Sequence, residues 1–271
     1  MPFTDSHCHL DDAAFSEKLP SLLARCLQHS IHRIIVPSIA PSNFESVLAL
    51  CKAHHNNPIR LHPGLGIHPW FLETLTEVHL ERLEAKIVQQ RDNIIAIGEI
   101  GLDSAIVKKA ADPAKNLAQQ QYFFDFQLNL AKEQQLPVIV HHRQSHDKII
   151  PFLKKYHLES SGVIHGFSGS YQQACAYLDL GFKLGIGSTI TYSRAKKTID
   201  TVKRLPLSSL LLETDAPGMP LSKKVLTDTN KQRPNSPLHL NKIFEILVSI
   251  RAESASEIAA QVECNVERLF F

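Results

Sequence analysis

Short apolar runs rich in β-branched residues alternate with longer amphipathic stretches along the whole chain. The short runs are Phe3–Cys8, Arg33–Val36, Ile59–Leu61 (extending to Gly66 at most), Ile94–Ile100, Val138–His141, Gly162–His165, Phe182–Ile186 and Leu210–Thr214. Most are near-continuously apolar, the pattern of parallel strands covered on both faces. Between them apolar residues recur at helical spacing. Leu19, Leu22, Leu23, Cys26 and Leu27 mark one face over Leu19–His29, and Phe44, Val47, Leu48 and Cys51 mark one over Ser42–His54. Further helices are read over Val78–Gln90, Gln119–Gln134, Lys148–Tyr156, Tyr171–Leu180, Arg194–Leu205 and Leu238–Ile250. Two short ones, Ala255–Gln261 and Asn265–Phe271, are expected on the outside. Ser104–Ala118 and Gly218–Pro237 read as long loops, each following a strand.

Repeated strand–helix units pair their strands in parallel through right-handed crossovers. Eight such units predict an α/β fold, a (β/α)8 TIM barrel formed as one domain by residues 1–271, a length at which such barrels occur. The count alone does not decide between a closed barrel and an open sheet.

Composition narrows the picture by exclusion. With 44% apolar and 21% charged residues, wholesale disorder is excluded. No apolar run approaches the roughly 18 residues of a membrane span, so no membrane partner is expected. The start lacks a basic segment followed by an apolar one, so no secretory signal is read. Five scattered cysteines, with no CxxC pair, suit a reducing cytoplasm and exclude a cysteine zinc ribbon. The net charge of +2 argues neither for nor against a nucleic-acid partner, and no protein partner is evident.

The chemistry lies at the strand ends. His7 and His9, two apart on a strand, point to the same side and can reach one metal ion. Other apolar strands end in Glu99, in His141, in His165 and in Glu213-Thr214-Asp215. A charge at the end of an apolar strand is costly unless paired, and a metal is the simplest shared partner. A closed barrel brings all these ends to one mouth, which an open sheet does not, so the chemistry supports closure. His142 and Cys8 alternate with these residues and are expected to point away.

Six stretches taken in order carry a family likeness: Asp5-Ser6-His7-Cys8-His9-Leu10-Asp11, Gly66-Ile67-His68-Pro69, Gly98-Glu99-Ile100-Gly101-Leu102-Asp103, Leu136 to Arg143, Gly162 to Gly169, and Glu213-Thr214-Asp215-Ala216-Pro217. The run Gln120 to Phe124 to Gln127 fits as well. The chain resembles the TatD family of metal-dependent deoxyribonucleases, within the amidohydrolase-like TIM barrels. The resemblance implies two divalent ions. His7, His9, Glu99 and Asp215 would hold the first, and His141 and His165 the second, with Glu99 bridging. It implies His68 and Arg143 at the substrate phosphate, where the Arg143 guanidinium fork matches phosphate oxygens. Asp215 would also take the proton of the attacking water. Zinc, magnesium or manganese would all suit such donors.

Asp103 orients a water or a ligand, or else caps the next segment. On the period-two rule Asp5 and Glu213 fall one layer below the metals. There they would accept hydrogen bonds from ligand imidazoles or a buried cation. A bulge turning one of them outward, or a role in folding only, is the alternative. Departures from the family pattern, at Ser104, Ser145 and Gly218-Met219, line the substrate mouth. The expected activity is hydrolysis of phosphodiesters at DNA ends. Hydrolysis of an ester or amide on the same barrel is the alternative, and a non-enzymatic metal or nucleic-acid binder is the third reading. The run Leu221–Arg233, with Lys223, Lys224, Lys231 and Arg233 against Asp228, is either a DNA contact or a solvated loop.

Overall fold

The computed structural model describes residues 2–226 and 234–271. Among these residues, eight strands lie in one parallel sheet in chain order: β1 (Phe3–Asp5), β2 (Ile31–Pro37), β3 (Arg60–Leu65), β4 (Ala96–Asp103), β5 (Val138–Arg143), β6 (Gly162–Ile164), β7 (Lys183–Ile186) and β8 (Leu210–Leu212). The sheet curls into a nearly closed TIM barrel, with helices between successive strands and two more after the last. These are α1 (Leu19–Gln28), α2 (Phe44–Ala53), α3 (Glu77–Gln89), α4 (Ser104–Val107), α5 (Pro113–Gln134), α6 (His146–Tyr156), α7 (Tyr171–Leu178), α8 (Lys196–Arg204), α9 (Leu240–Ile250) and α10 (Ala255–Phe270).

The seam between β8 and β1 joins through the segments beyond both strands. Leu212 O accepts from Ser6 N (2.9 Å), His7 O from Asp215 N (2.8 Å) and Ala216 O from His9 N (2.8 Å). On its other side this segment reaches β2, where Cys8 N donates to Ile35 O at 3.0 Å. Residues 6–9 therefore continue the first strand as an extended ribbon although regular pairing ends at Asp5. The ribbon carries His7 and His9 to the barrel's C-terminal mouth.

Helix α5 does more than cover the sheet. Asp112 caps its start by accepting from Lys115 N, and Pro113 occupies the first turn, a pairing suited to both residues. Gln120 and Gln127, two turns apart on one face, are both buried. Each side-chain amide brackets one backbone residue. Gln127 accepts from Ile67 N (2.7 Å) and donates to Ile67 O (3.2 Å). Gln120 accepts from Asp103 N (2.8 Å) and donates to Asp103 O (3.3 Å). In this way the ends of β3 and β4 have their backbone groups satisfied where sheet pairing stops.

Two expectations change. The two short C-terminal helices are one helix, Ala255–Phe270. Asn265 lies inside it because its side chain donates to Leu207 O and Leu210 O and so pins the helix beneath β8. The loop expected over Ser104–Ala118 contains α4 and the first turns of α5. Asp103 nucleates α4, its Oδ1 accepting from Ala105 N and Ile106 N. Of the basic run Leu221–Arg233, residues 227–233, with Asp228, Lys231 and Arg233, lie outside the described residues.

Gly101 has a φ of 146°, and a Cβ there would lie 2.1 Å from the His141 carbonyl oxygen of the neighbouring strand. Gly101→Ala should therefore cost about 3 kcal/mol, lowering Tm by roughly 10 °C. Thermal unfolding measures this, and an unchanged Tm would show that the β4–β5 contact is looser than the structure has it.

Candidate metal centre

The functional side chains come from within β4, from the C-terminal half of β5 and from just past the ends of β1, β3, β6 and β8. Glu99 lies within β4 and is 2% exposed, while His7 is fully buried. Five imidazole nitrogens surround the Glu99 carboxylate. Oε2 faces His7 Nε2 (3.1 Å) and His9 Nε2 (3.4 Å). Oε1 faces His68 Nε2 (3.1 Å), His141 Nδ1 (3.0 Å) and His165 Nε2 (3.3 Å). Asp215 Oδ1 lies 3.6 Å from both His7 Nε2 and His9 Nε2. Asp215 is held in the left-handed region (φ 55°), which aspartate tolerates better than most residues.

The far side of each ring decides what its near side can do. His9 Nδ1 lies 3.3 Å from Pro37 O, and His165 Nδ1 lies 3.2 Å from Glu213 Oε1. Both are acceptors, so each ring in its neutral form carries the proton on Nδ1 and turns the Nε2 lone pair to the centre. His141 Nε2 lies 3.3 Å from Asp103 Oδ2, which likewise frees its Nδ1. His68 is the reverse case: its Nδ1 accepts from Trp70 N (3.0 Å), so the neutral ring must carry its proton on Nε2. His68 thus faces Glu99 as a donor, whereas the other rings face it as potential ligands.

Lone pairs directed at carboxylate oxygens repel unless a proton or a metal ion stands between them. Ligand atoms about 2.0–2.2 Å from a common ion lie roughly 3.0–3.6 Å from one another, which is the spacing found here. Two groups, His7 with His9 and Asp215, and His7 with Glu99 and His165, bring their ligand atoms within 4.8 Å of one another. The donor set therefore fits divalent metal ions. His68 forms a third such group with Glu99 and His141, but its proton position suits it to a hydrogen-bonding role.

Without an ion the charges show the same strain. Burial pushes the Asp215 carboxyl up. Burial opposes ionisation of Glu99 too, but the surrounding imidazoles outweigh it and hold the carboxyl well below its usual range. Burial disfavours a charged His9, yet Glu99 and Asp215 raise it to about 9. His7, stacked on His165 with centroids 3.7 Å apart, is pushed well below its ordinary value by burial and by that neighbour.

The carboxylates behind the centre have different partners. Glu213 Oε1 also accepts from Gly166 N, and its carboxylate lies over Gly185, where a Cβ would fall within 2.1 Å of Oε2. Asp103 is fully buried and accepts from the Trp70 indole at 2.6 Å, with Arg143 Nη1 at 4.0 Å. Asp5 corrects the expectation of an imidazole partner. It is inside the barrel, but it accepts from His7 N (3.3 Å), Thr214 N (2.9 Å) and Thr214 Oγ1 (2.5 Å). The backbone amides lie nearer than any ring, because the barrel seam turns the two chain segments onto this carboxylate. Asp5 thus staples the β1 and β8 extensions.

His142 turns its ring toward His146 (4.4 Å) and the helix layer, and Cys8 is buried with Sγ 3.5 Å from Ala216 O. Arg143, half exposed, His68 and Trp70 line a cavity of about 610 Å³ over the centre. The reading from sequence missed Gly185 and the bond from Trp70 to Asp103, although it offers Trp70, with Tyr171 and Tyr192, as a candidate to stack a nucleobase. An isolated glycine in an apolar strand was the signal for the first; for the second there was only the place of Trp70 after His68-Pro69.

The barrel, its C-terminal cluster of imidazoles and carboxylates, and the cavity above them define a metal-dependent hydrolase. The chain belongs to the TatD family: the model for TatD related DNases matches residues 4–271. It is 44% identical to the uncharacterized metal-dependent hydrolase YjjV of Escherichia coli, over 99% of this chain and 97% of that one. The crystal structure of YjjV superposes with a TM-score of 0.89, covering the same shares of the two chains. A protein of Pantoea named as the 3'-5' ssDNA/RNA exonuclease TatD is 34% identical, over 77% of this chain and 79% of its own length.

Glu213→Gln keeps the shape over Gly185 and removes the charge that orients His165. Metal affinity should fall by about 10–100-fold with the fold intact. Titration in a metal buffer measures this, and parental affinity would leave Glu213 only its bond to Gly166.

Proposed function

We propose that the protein is a two-metal phosphodiesterase that removes nucleotides from a DNA end. The observation that carries this reading is the division of Glu99: one oxygen faces His7 and His9, the other faces His141 and His165. A single carboxylate so placed suits a bridge between two cations, with Asp215 completing the His7–His9 side. When bound, such ions stabilise the charge of an in-line displacement and lower the pKa of a water. Asp215, whose Oδ1 faces both His7 and His9, accepts the proton of the attacking water. The Arg143 guanidinium donates to the non-bridging phosphate oxygens. The His68 Nε2 proton faces Glu99 in this structure and turns to the phosphate when the Glu99 oxygens serve as ligands; both residues line the cavity. The exonuclease name of the Pantoea relative supports nucleic acid as the substrate class. A reducing cytoplasm is the proposed compartment, on the odd and scattered cysteines.

The direct test is an end-labelled single-stranded DNA assay with chelation and metal add-back, run beside an aminoacyl-tRNA and a lactone. Metal-restored shortening of the DNA is expected; cleavage of the ester or lactone without DNA loss would overturn the reading. Glu99→Ala should lose both ions together, with hydrolysis falling by about 10³-fold or more, while circular dichroism shows the barrel intact. Two ions per chain in that variant would refute the bridge.

Arg143→Ala should keep its metal content and lose roughly 10–100-fold in kcat/KM on the DNA strand. Unchanged kinetics would reduce Arg143 to its exposed approach to Asp103.

A further inference from the structure

We propose that Trp70 is a positioning residue that couples the substrate mouth to the metal-facing histidines, its indole N–H holding Asp103 and its open ring face receiving a nucleobase. The base-stacking half rests on the phosphodiesterase reading above; the indole half does not.

The indole half stands on hydrogen bonds. Asp103 is buried, and its Oδ1 is taken by the amides of Ala105 and Ile106, which fix the plane of the carboxylate. Oδ2 remains for the Trp70 indole at 2.6 Å and for His141 Nε2 at 3.3 Å. The indole is a donor with no acceptor capacity, so it holds Asp103 in its acceptor form and His141 in the tautomer that bares Nδ1. The Trp70 ring stands edge-on to both His141 (centroids 6.2 Å apart) and His68 (5.4 Å). The exposed ring is thus in contact with the layer behind the metal centre.

The ring half stands on exposure. Trp70 is 50% exposed although its indole N–H donates to the buried Asp103. Phe71 and Met219, at 43% and 42%, line the same cavity. An apolar rim left open to water around a charged centre marks a ligand surface. Its chemistry, flat and apolar beside Arg143 and His68, fits an unpaired base attached to a phosphate.

Trp70 is the chain's single tryptophan, so emission excited beyond the tyrosine absorption band reports on this position alone. The full-length protein is stripped with chelator and titrated with Zn²⁺, an ion without redox chemistry of its own, while emission and calorimetric affinity are followed. Emission should change saturably with Zn²⁺. Trp70→Phe keeps a ring and loses the N–H. It should bind Zn²⁺ about tenfold more weakly, with KM for single-stranded oligothymidylate within about twofold of the parent. Trp70→Ala should show the same metal loss and, in addition, a KM about tenfold higher.

Parental Zn²⁺ affinity in Trp70→Phe, or emission unmoved by Zn²⁺, would overturn the coupling. Equal KM in the two variants would overturn the stacking. If Trp70→Ala fails to fold, quenching of parental emission by a phosphorothioate oligothymidylate replaces it, and lack of quenching counts against stacking. A parent that neither binds nor cuts the strand defeats the phosphodiesterase reading and the stacking half with it, while the Zn²⁺ readouts still decide the indole half.

Discussion

A buried carboxylate with five imidazole nitrogens between 3.0 and 3.4 Å from its oxygens sets the terms for the rest of this molecule. Charge at that depth is tolerable only if it is surrounded by partners. Those partners come from strands far apart in sequence, and a barrel closed at its mouth is what brings them within reach. Closure is accomplished where regular pairing has already ended, by the bonds between residues 6–9 and 212–216. The Asp5 carboxylate is spent on this seam, taking two amides and a hydroxyl from its two sides.

Around the centre a further set of contacts determines which nitrogen each ring turns inward. Pro37 O, Glu213 and Asp103 accept from His9, His165 and His141, so that each of these rings, when neutral, turns a lone pair to the centre. The Trp70 amide donates to His68 and makes that ring a donor there. Chemically identical side chains thus have two functions, separated by one proton's position. The contacts are in turn held from outside by the α5 glutamines on Ile67 and Asp103, and by the space over Gly185 that admits Glu213. The rigid layer makes room for a mouth whose rim is apolar, an arrangement suited to gripping a substrate by a flat group and reacting at a charged one.

Much of this was legible along the chain. Period-two reasoning places His7 with His9 and puts Asp5 and Glu213 below them, because alternation on a strand is a local property. Apolar runs ending in Glu99, His141 and His165 announce strands with something to pair at their tips. Element boundaries were less legible where tertiary contacts override local signals: Asn265 stays within α10 because two carbonyls beneath β8 claim its side chain. Helix α4 forms because Asp103, at the end of a strand, doubles as its cap.

By itself the sequence determined the alternation of strand and helix, the order of the units and the identity of the donors, since these depend on residue type and near-neighbour spacing. Which partner each donor meets was decided only by the tertiary structure. Asp5 meets the backbone of residues 7 and 214 instead of a ring, and Trp70 reaches 33 residues along the chain to Asp103. Hydrogen bonds are directional and short-ranged, so which group accepts and which donates is settled by ångström-scale placement across the barrel, and no local pattern encodes that.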